Sequence, residues 1–261
     1  MKKWMMYACL FLLASILVAC SSGKVTTEEG YELVEDGKLI FAASGEFTPF
    51  SMTDGSGNMS GFDIEVAEAV ARELGLEADQ RKYTFSGIVE GVRSGRFDVA
   101  VASHTITEER LKEVDFTVPY YYSGAQIFVR PDSDIQTLED LRGKTVAVSR
   151  GSTYGDLIVG VPGEIVNYDS DVVALESLNN GRYDAVVTDF ITGREAIGAG
   201  MNLEGRELLD RSEQAIAVAK GNEALTKAIS DALEKLRESG ELAQISEKYF
   251  GEDITTDPEQ Q

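Results

Sequence analysis

Between Ala100 and Arg110 the chain reads Ala-Val-Ala-Ser-His-Thr-Ile-Thr-Glu-Glu-Arg. An apolar strand expected over Phe97–Ala102 runs into a polar turn, and Thr107 with its two glutamates marks a helix start before Arg110. Ala102, Ser103, Thr105 and Arg110 would therefore bring hydroxyls, free backbone N–H groups and a guanidinium to the carboxyl end of a buried strand. Open α/β sheets bind small ligands at that end. Helix N-terminal amides and a two-pronged arginine both suit a carboxylate. His104 is the single histidine and invites a catalytic reading. Arg110 could equally pair with Glu108 or Glu109 on its own helix.

A second set of candidates follows later. Ser149, Ser152 and Thr153 surround Gly151, where a strand over Lys144–Val148 turns into a helix. Asp189 ends a strand over Tyr183–Thr188, where it can cap the next helix. Ser44, Glu46 and the aromatics Phe47 and Phe50 lie in a loop after the first strand, Leu39–Ala43, and Phe85 opens a short helix. Phe50 is expected in the core. Asp63 and Asp115 read as a helix cap and a strand end. Gly55 and Gly57 belong to a turn that does not pass from strand to helix, so a dinucleotide loop is rejected.

The 261 residues are 43% hydrophobic and 26% charged, as expected of globular material. Net charge is −21, and losing Lys2 and Lys3 with the leader makes it −23, which argues against a nucleic-acid partner. Lys2 and Lys3, the uncharged run Trp4–Ala19 and the closing Leu17-Val18-Ala19-Cys20 read as an export signal over residues 1–20. The only cysteines are Cys9 and Cys20, so lipidation of Cys20 would leave no thiol for a disulfide, a metal site or catalysis. Neither a metal nor a cofactor is expected.

Residues 21–37 are polar, acidic and aperiodic, and they read as a flexible tether spanning roughly 20–25 Å. From Lys38 onward strands alternate with helices in two successive α/β units. The first has helical spacing at Ile64, Ala67, Val70, Ala71 and Leu74. If the runs at Tyr120 and Gln214 are both crossover strands, the second unit is inserted into the first, and the helices over 225–240 and 242–250 pack back onto it. The boundaries expected are a first lobe of 38–120 and 217–250, a second lobe of 125–213, hinge strands at 121–124 and 214–216, and an acidic tail at 251–261.

Several motifs stand in order: Phe47-Thr48-Pro49-Phe50, Gly61-Phe62-Asp63, Phe85-Ser86-Gly87-Ile88, the segment Thr105–Arg110, Asp115-Phe116, Tyr120–Gly124, Gly151-Ser152-Thr153, Asp184–Asp189 and Lys248–Gly251. By their order and spacing the chain resembles the family 3 extracellular solute-binding proteins of polar amino-acid ABC importers, over Lys38–Gly251. Leu17–Cys20 resembles the bacterial lipobox, in which the cysteine is diacylated. The resemblance implies a type II periplasmic-binding-protein fold, with two α/β lobes, each a mainly parallel sheet flanked by helices, joined by two hinge strands. It implies a monomer held by a lipid on Cys20 at the outer face of the membrane, with a permease and a separate ATPase as partners.

In such proteins the position of Arg110 holds the ligand α-carboxylate, helped by the amides of Thr105 and Thr153. Asp189 holds the α-ammonium, with the Thr105 hydroxyl and the Ser103 carbonyl completing that shell. Phe47 and Phe85 would sandwich the side chain, and Ser149, Ser152 and Ala102 would add contacts. His104 would contribute backbone only. Relatives for basic amino acids or glutamine carry an acid where this chain has Ser44, so the ligand is left among cystine, glutamine and a basic amino acid, with Glu46 a substitute if it faces the cleft. Some dehydratases of prephenate or arogenate share the scaffold, and for that chemistry Glu46 is the nearby general-acid candidate.

Overall fold

A computed structural model describes residues 24–161 and 163–258. It contains two five-stranded sheets. In the first, β7 (Glu77–Lys82), β3 (Lys38–Ala43), β8 (Val99–Thr105), β15 (Ser212–Ala219) and β9 (Val114–Ser123) lie side by side in that order. In the second the order is β12 (Glu164–Tyr168), β11 (Thr145–Ser149), β13 (Ala185–Asp189), β10 (Ala125–Val129) and β14 (Glu204–Leu208). Five short strands complete the set: β1 (Val25–Thr26), β2 (Glu32–Leu33), β4 (Glu46–Phe47), β5 (Ser51–Thr53) and β6 (Met59–Ser60).

Each sheet has one strand running against the other four. In the first it is β15, antiparallel to β8 and β9; in the second it is β10, antiparallel to β13 and β14. These two are the strands by which the chain enters a sheet from the other lobe. The remaining neighbours, β3 with β7 and β8 and β11 with β12 and β13, are parallel. Parallel strands need crossover helices, and the periodic stretches supply them. On the first lobe these are α1 (Phe62–Glu73), α2 (Phe85–Arg93) and the single turn α3 (Arg110–Glu113), while α7 (Glu223–Glu238) and α8 (Glu241–Phe250) pack on after the last strand. The second lobe has α4 (Tyr154–Ile158), α5 (Asp171–Asn179) and α6 (Phe190–Gly198). With helices packed on it, β3 is buried at Leu39 through Ala43 without alternation.

The crossing between lobes falls at Gly124 and at Asp210–Arg211. A Cβ on Gly124 would lie 2.2 Å from the Asp210 carbonyl oxygen, so the two connections pass too closely for any side chain there. Gln214 and Ala215, expected in a hinge, instead pair with both β8 and β9 inside the first sheet, and Ser212 and Glu213 pair with Ser123 and Tyr122.

Two terminal assignments need correction. From Lys24 the expected tether is folded: β1 and β2 form a hairpin, and Tyr31 and Leu33 sit in the first lobe's core. Asp98 accepts the Val34 and Ile40 amides at 2.7 Å each, and Asn222 brackets the Glu32 backbone from both sides. These partners are far away in sequence and the strands are two residues long, so no local period marks them. Replacing Leu33, fully buried, by alanine should cost about 2–5 kcal/mol in urea unfolding, whereas a free tether would give no change. The acidic tail also docks: Ile254 and Thr255 are buried, and the Ile254 carbonyl accepts the Tyr122 amide at 2.9 Å. Cys20 and the rest of the leader lie outside the described residues.

Candidate functional site

Ser103 is the one non-glycine residue with a left-handed backbone among the described residues, at φ 57°. Such a conformation persists only when the surroundings hold it. Here its N–H donates to the Tyr120 phenol oxygen (2.9 Å), its hydroxyl donates to Asp63 Oδ2 (2.9 Å), and the Tyr120 hydroxyl donates to Asp63 Oδ1 (2.6 Å). Asp63 is therefore not a helix cap. It is a buried anchor that turns the chain at the end of β8, and burial raises its pKa to about 6 against those two donors.

Beyond that turn, Arg110 folds back. Nη1 donates to the Thr105 carbonyl at 2.8 Å, and Nη2 reaches across the cleft to the Gly151 carbonyl at 3.1 Å. Its guanidinium lies over the Phe85 ring, 5.8 Å from the centroid. Burial lowers its pKa to about 10, so it stays charged at neutral pH. Phe85 in turn stacks on His104, with centroids 4.5 Å apart and planes 16° from parallel. His104 is 1% exposed, and burial holds its pKa well below the ordinary value, with the Arg110 charge adding to the effect. The imidazole is a neutral plate behind Phe85.

Between the lobes is a small cavity. The first lobe lines it with Ser44, Glu46, Phe47, Phe85 and Ser103, the second with Ser149, Ser152, Tyr154, Asp169 and Asp171. Phe47 is backed by Phe50, stacked at 4.8 Å, and Phe50 is fully buried as expected. Thr105 and Thr153 face a neighbouring groove together with Asp156 and Asp210. Arg110 borders the space on the other side of Phe85, and its partner Gly151 immediately precedes the cavity residue Ser152. Ala102 is buried within β8.

Asp189 is 2% exposed and caps α6, accepting the Ile191 amide at 2.8 Å. Burial pushes its pKa up to about 7; the Ser123 hydroxyl and the Ile191 and Thr192 amides oppose this, and the charge of Asp171 adds to it. Tyr154 lies within the electrostatic reach of Asp189, Asp171 and Arg110. It thus links the cavity to both candidate charges.

Glu46 occupies the mouth of the cavity, where Lys82 donates to it at 2.5 Å with both side chains substantially exposed. It is a solvated ion pair and not a buried acid. Ser44 is turned inward, its hydroxyl against Ser51 at 3.1 Å and the Glu46 amide at 3.3 Å. Ser152 donates its hydroxyl to the Ser149 carbonyl at 2.7 Å, which tightens the turn into α4. Tyr154, Asp169 and Asp171 were missed from sequence, and Asp63 was read only as a helix cap. Asp63 and Tyr154 sit inside motif segments, at the helix opening and beside Thr153, whereas Asp171 begins α5 with no motif around it.

Over residues 39–252 the chain matches the family model of bacterial extracellular solute-binding proteins, family 3. It is 35% identical over 257 residues to the L-cystine-binding protein TcyJ of Escherichia coli, covering 95% of this chain and 96% of that one. Among solved structures it is similar to an ancestral arginine-binding protein bound to arginine, with a TM-score of 0.78 and 37% identity over 82% of this chain and 99% of the other. It is also similar to the ancestral amino acid-binding protein AncCDT-1, a precursor of cyclohexadienyl dehydratase, with a TM-score of 0.76 and 31% identity over 82% and 96%. Fold, motif order and whole-length similarity agree: the chain belongs to the bacterial extracellular solute-binding proteins, family 3.

Proposed function

We propose that this chain is the substrate-binding lipoprotein of an ABC importer, held at the outer face of the membrane by a lipid on Cys20. It captures a polar L-amino acid between its lobes and delivers it to a permease driven by a separate ATPase. The observation that carries the reading is the bridge from Arg110 to Gly151 at the edge of a cavity walled by both lobes. The guanidinium fork fits an α-carboxylate shared with the amides of Thr105 and Thr153. Asp189, buried on the second lobe, fits the α-ammonium. Phe47 and Phe85 flank the side chain, with Ser44, Ser103, Ser149 and Ser152 around it.

Contacts from both lobes exist only when the cleft is shut, so the ligand shifts the population toward closure. The pairing of Glu46 with Lys82 at the cavity mouth supports a receptor over a dehydratase, because that carboxylate is exposed to solvent and already engaged by a lysine. A thermal-shift screen of the twenty amino acids with cystine and ornithine tests the proposal. At a hundredfold excess over Kd the binding stabilisation is about 2.7 kcal/mol, enough for a shift of several degrees. A flat screen, checked by calorimetry, would refute it. Removal of the leader takes Trp4, the only tryptophan, so tyrosine emission or a dye must report unfolding.

A further inference from the structure

The carboxylates around the cavity differ in what balances their charge. Glu46 pairs with Lys82, and Asp169 with Arg150 at 3.2 Å; all four side chains are substantially exposed. Asp171 and Asp189 are 6% and 2% exposed, and among the described residues neither has a lysine or arginine within ion-pair distance. The donors to Asp171 are neutral: the Thr188 hydroxyl at 2.6 Å and the Ser149 hydroxyl. Hydroxyl donors offset part of the desolvation of a buried carboxylate but leave its charge unmatched. Asp171 lines the cavity directly and lies close enough to Asp189 for their charges to interact. Asp171 thus walls the cavity as a buried carboxylate that no protein cation matches, beside the equally unmatched Asp189, and an α-ammonium answers only one of the two.

We propose that Asp171 reads a second cationic group on the ligand, which makes the substrate class α-amino acids with two cationic nitrogens. Lysine, ornithine and arginine carry the second one on the side chain; cystine carries it as the ammonium of its other half. The inference rests on the amino-acid-binding reading above. The apolar middle of such a ligand would lie against Phe47 and Phe85, and its far nitrogen would meet Asp171 beside Ser149. Ser44, on the first lobe, brings no charge to that end, so the discrimination falls to the second lobe.

Calorimetry on the wild-type chain and on Asp171→Asn, with arginine, lysine, ornithine, cystine and glutamine as probes, tests this. In the wild type, at least one dicationic ligand should bind about tenfold or more tighter than glutamine. Asp171→Asn should erase that preference, weakening the dicationic ligand about tenfold or more while glutamine changes less than about threefold. Tighter binding of glutamine than of every dicationic probe by the wild type would overturn the proposal, even if the variant does not fold. An equal loss for all ligands in a folded variant would overturn it too. Binding of no α-amino acid at all would overturn the amino-acid-binding reading itself, a result distinct from a glutamine-selective protein.

Discussion

Replacing Arg110 with alanine is expected to weaken amino-acid binding by about 2–5 kcal/mol, at least about 30-fold in Kd. The guanidinium is largely buried yet charged, and two of its donors are already aimed, one at Thr105 on its own lobe and one at Gly151 on the other. A ligand carboxylate would displace the Gly151 carbonyl from a fork whose other arm is already fixed on Thr105, so little side-chain entropy is lost on binding. Removing it leaves the ligand carboxylate desolvated and unmatched and deletes the cross-cleft bond to Gly151. Lysine at this position should recover only part of the loss, since it supplies charge without parallel donors. Calorimetry with an α-amino acid measures the effect, and near-wild-type affinity of Arg110→Ala would remove Arg110 from the site.

The second large effect concerns Asp189. Asp189→Asn should weaken amino acids by about 2–5 kcal/mol and an analogue lacking the ammonium much less; an equal loss for both would contradict the assigned role. The pH dependence gives an independent readout. Burial, opposed by the Ser123 hydroxyl and the Ile191 and Thr192 amides, places the ligand-free pKa at about 7, with Asp171, Tyr121 and Tyr154 as the neighbouring titratable groups. An ammonium beside the carboxylate favours its ionised form, so the bound pKa is lower. Below pH 7 binding must then release a proton, and affinity should rise by up to about tenfold per pH unit toward 7 and level off above it. Asp189→Asn should lose that slope.

The same shift has a sign for stability. The folded, ligand-free protein holds a proton on Asp189 between the ordinary carboxylate value of 3.8 and about 7, where the unfolded chain does not. Asp189 therefore reduces ligand-free stability as pH rises through that window, and the ligand should reverse the loss.

The outcome for individual residues shows where reading the chain succeeds. The helix at Phe62–Glu73 repeats its apolar positions at helical spacing, and the strands contain continuous apolar runs over 39–43, 146–148 and 185–187. Such elements announce themselves because each must present a buried face, and that face is written in neighbouring residues. β14, Glu204–Leu208, was missed: three of its five residues are charged, and its place beside β10 on the sheet edge is decided by pairing alone. The hairpin at residues 25–33 was lost for a related reason, because Asp98 and Asn222 hold it from far along the chain.

By itself, then, the sequence determined the alternating α/β order, the two crossover runs and the residues available for a carboxylate and an ammonium. Those depend on local spacing and on chemical type. Tertiary structure alone decided that Ser103 is turned by Asp63 and Tyr120, that Glu46 is matched by Lys82 at the rim, and that Asp171 stands buried and unmatched across from Ser44. A charge acquires its meaning from burial and from the groups beside it. Those groups come from the opposite lobe or from strands dozens of residues away, and no local pattern carries that information.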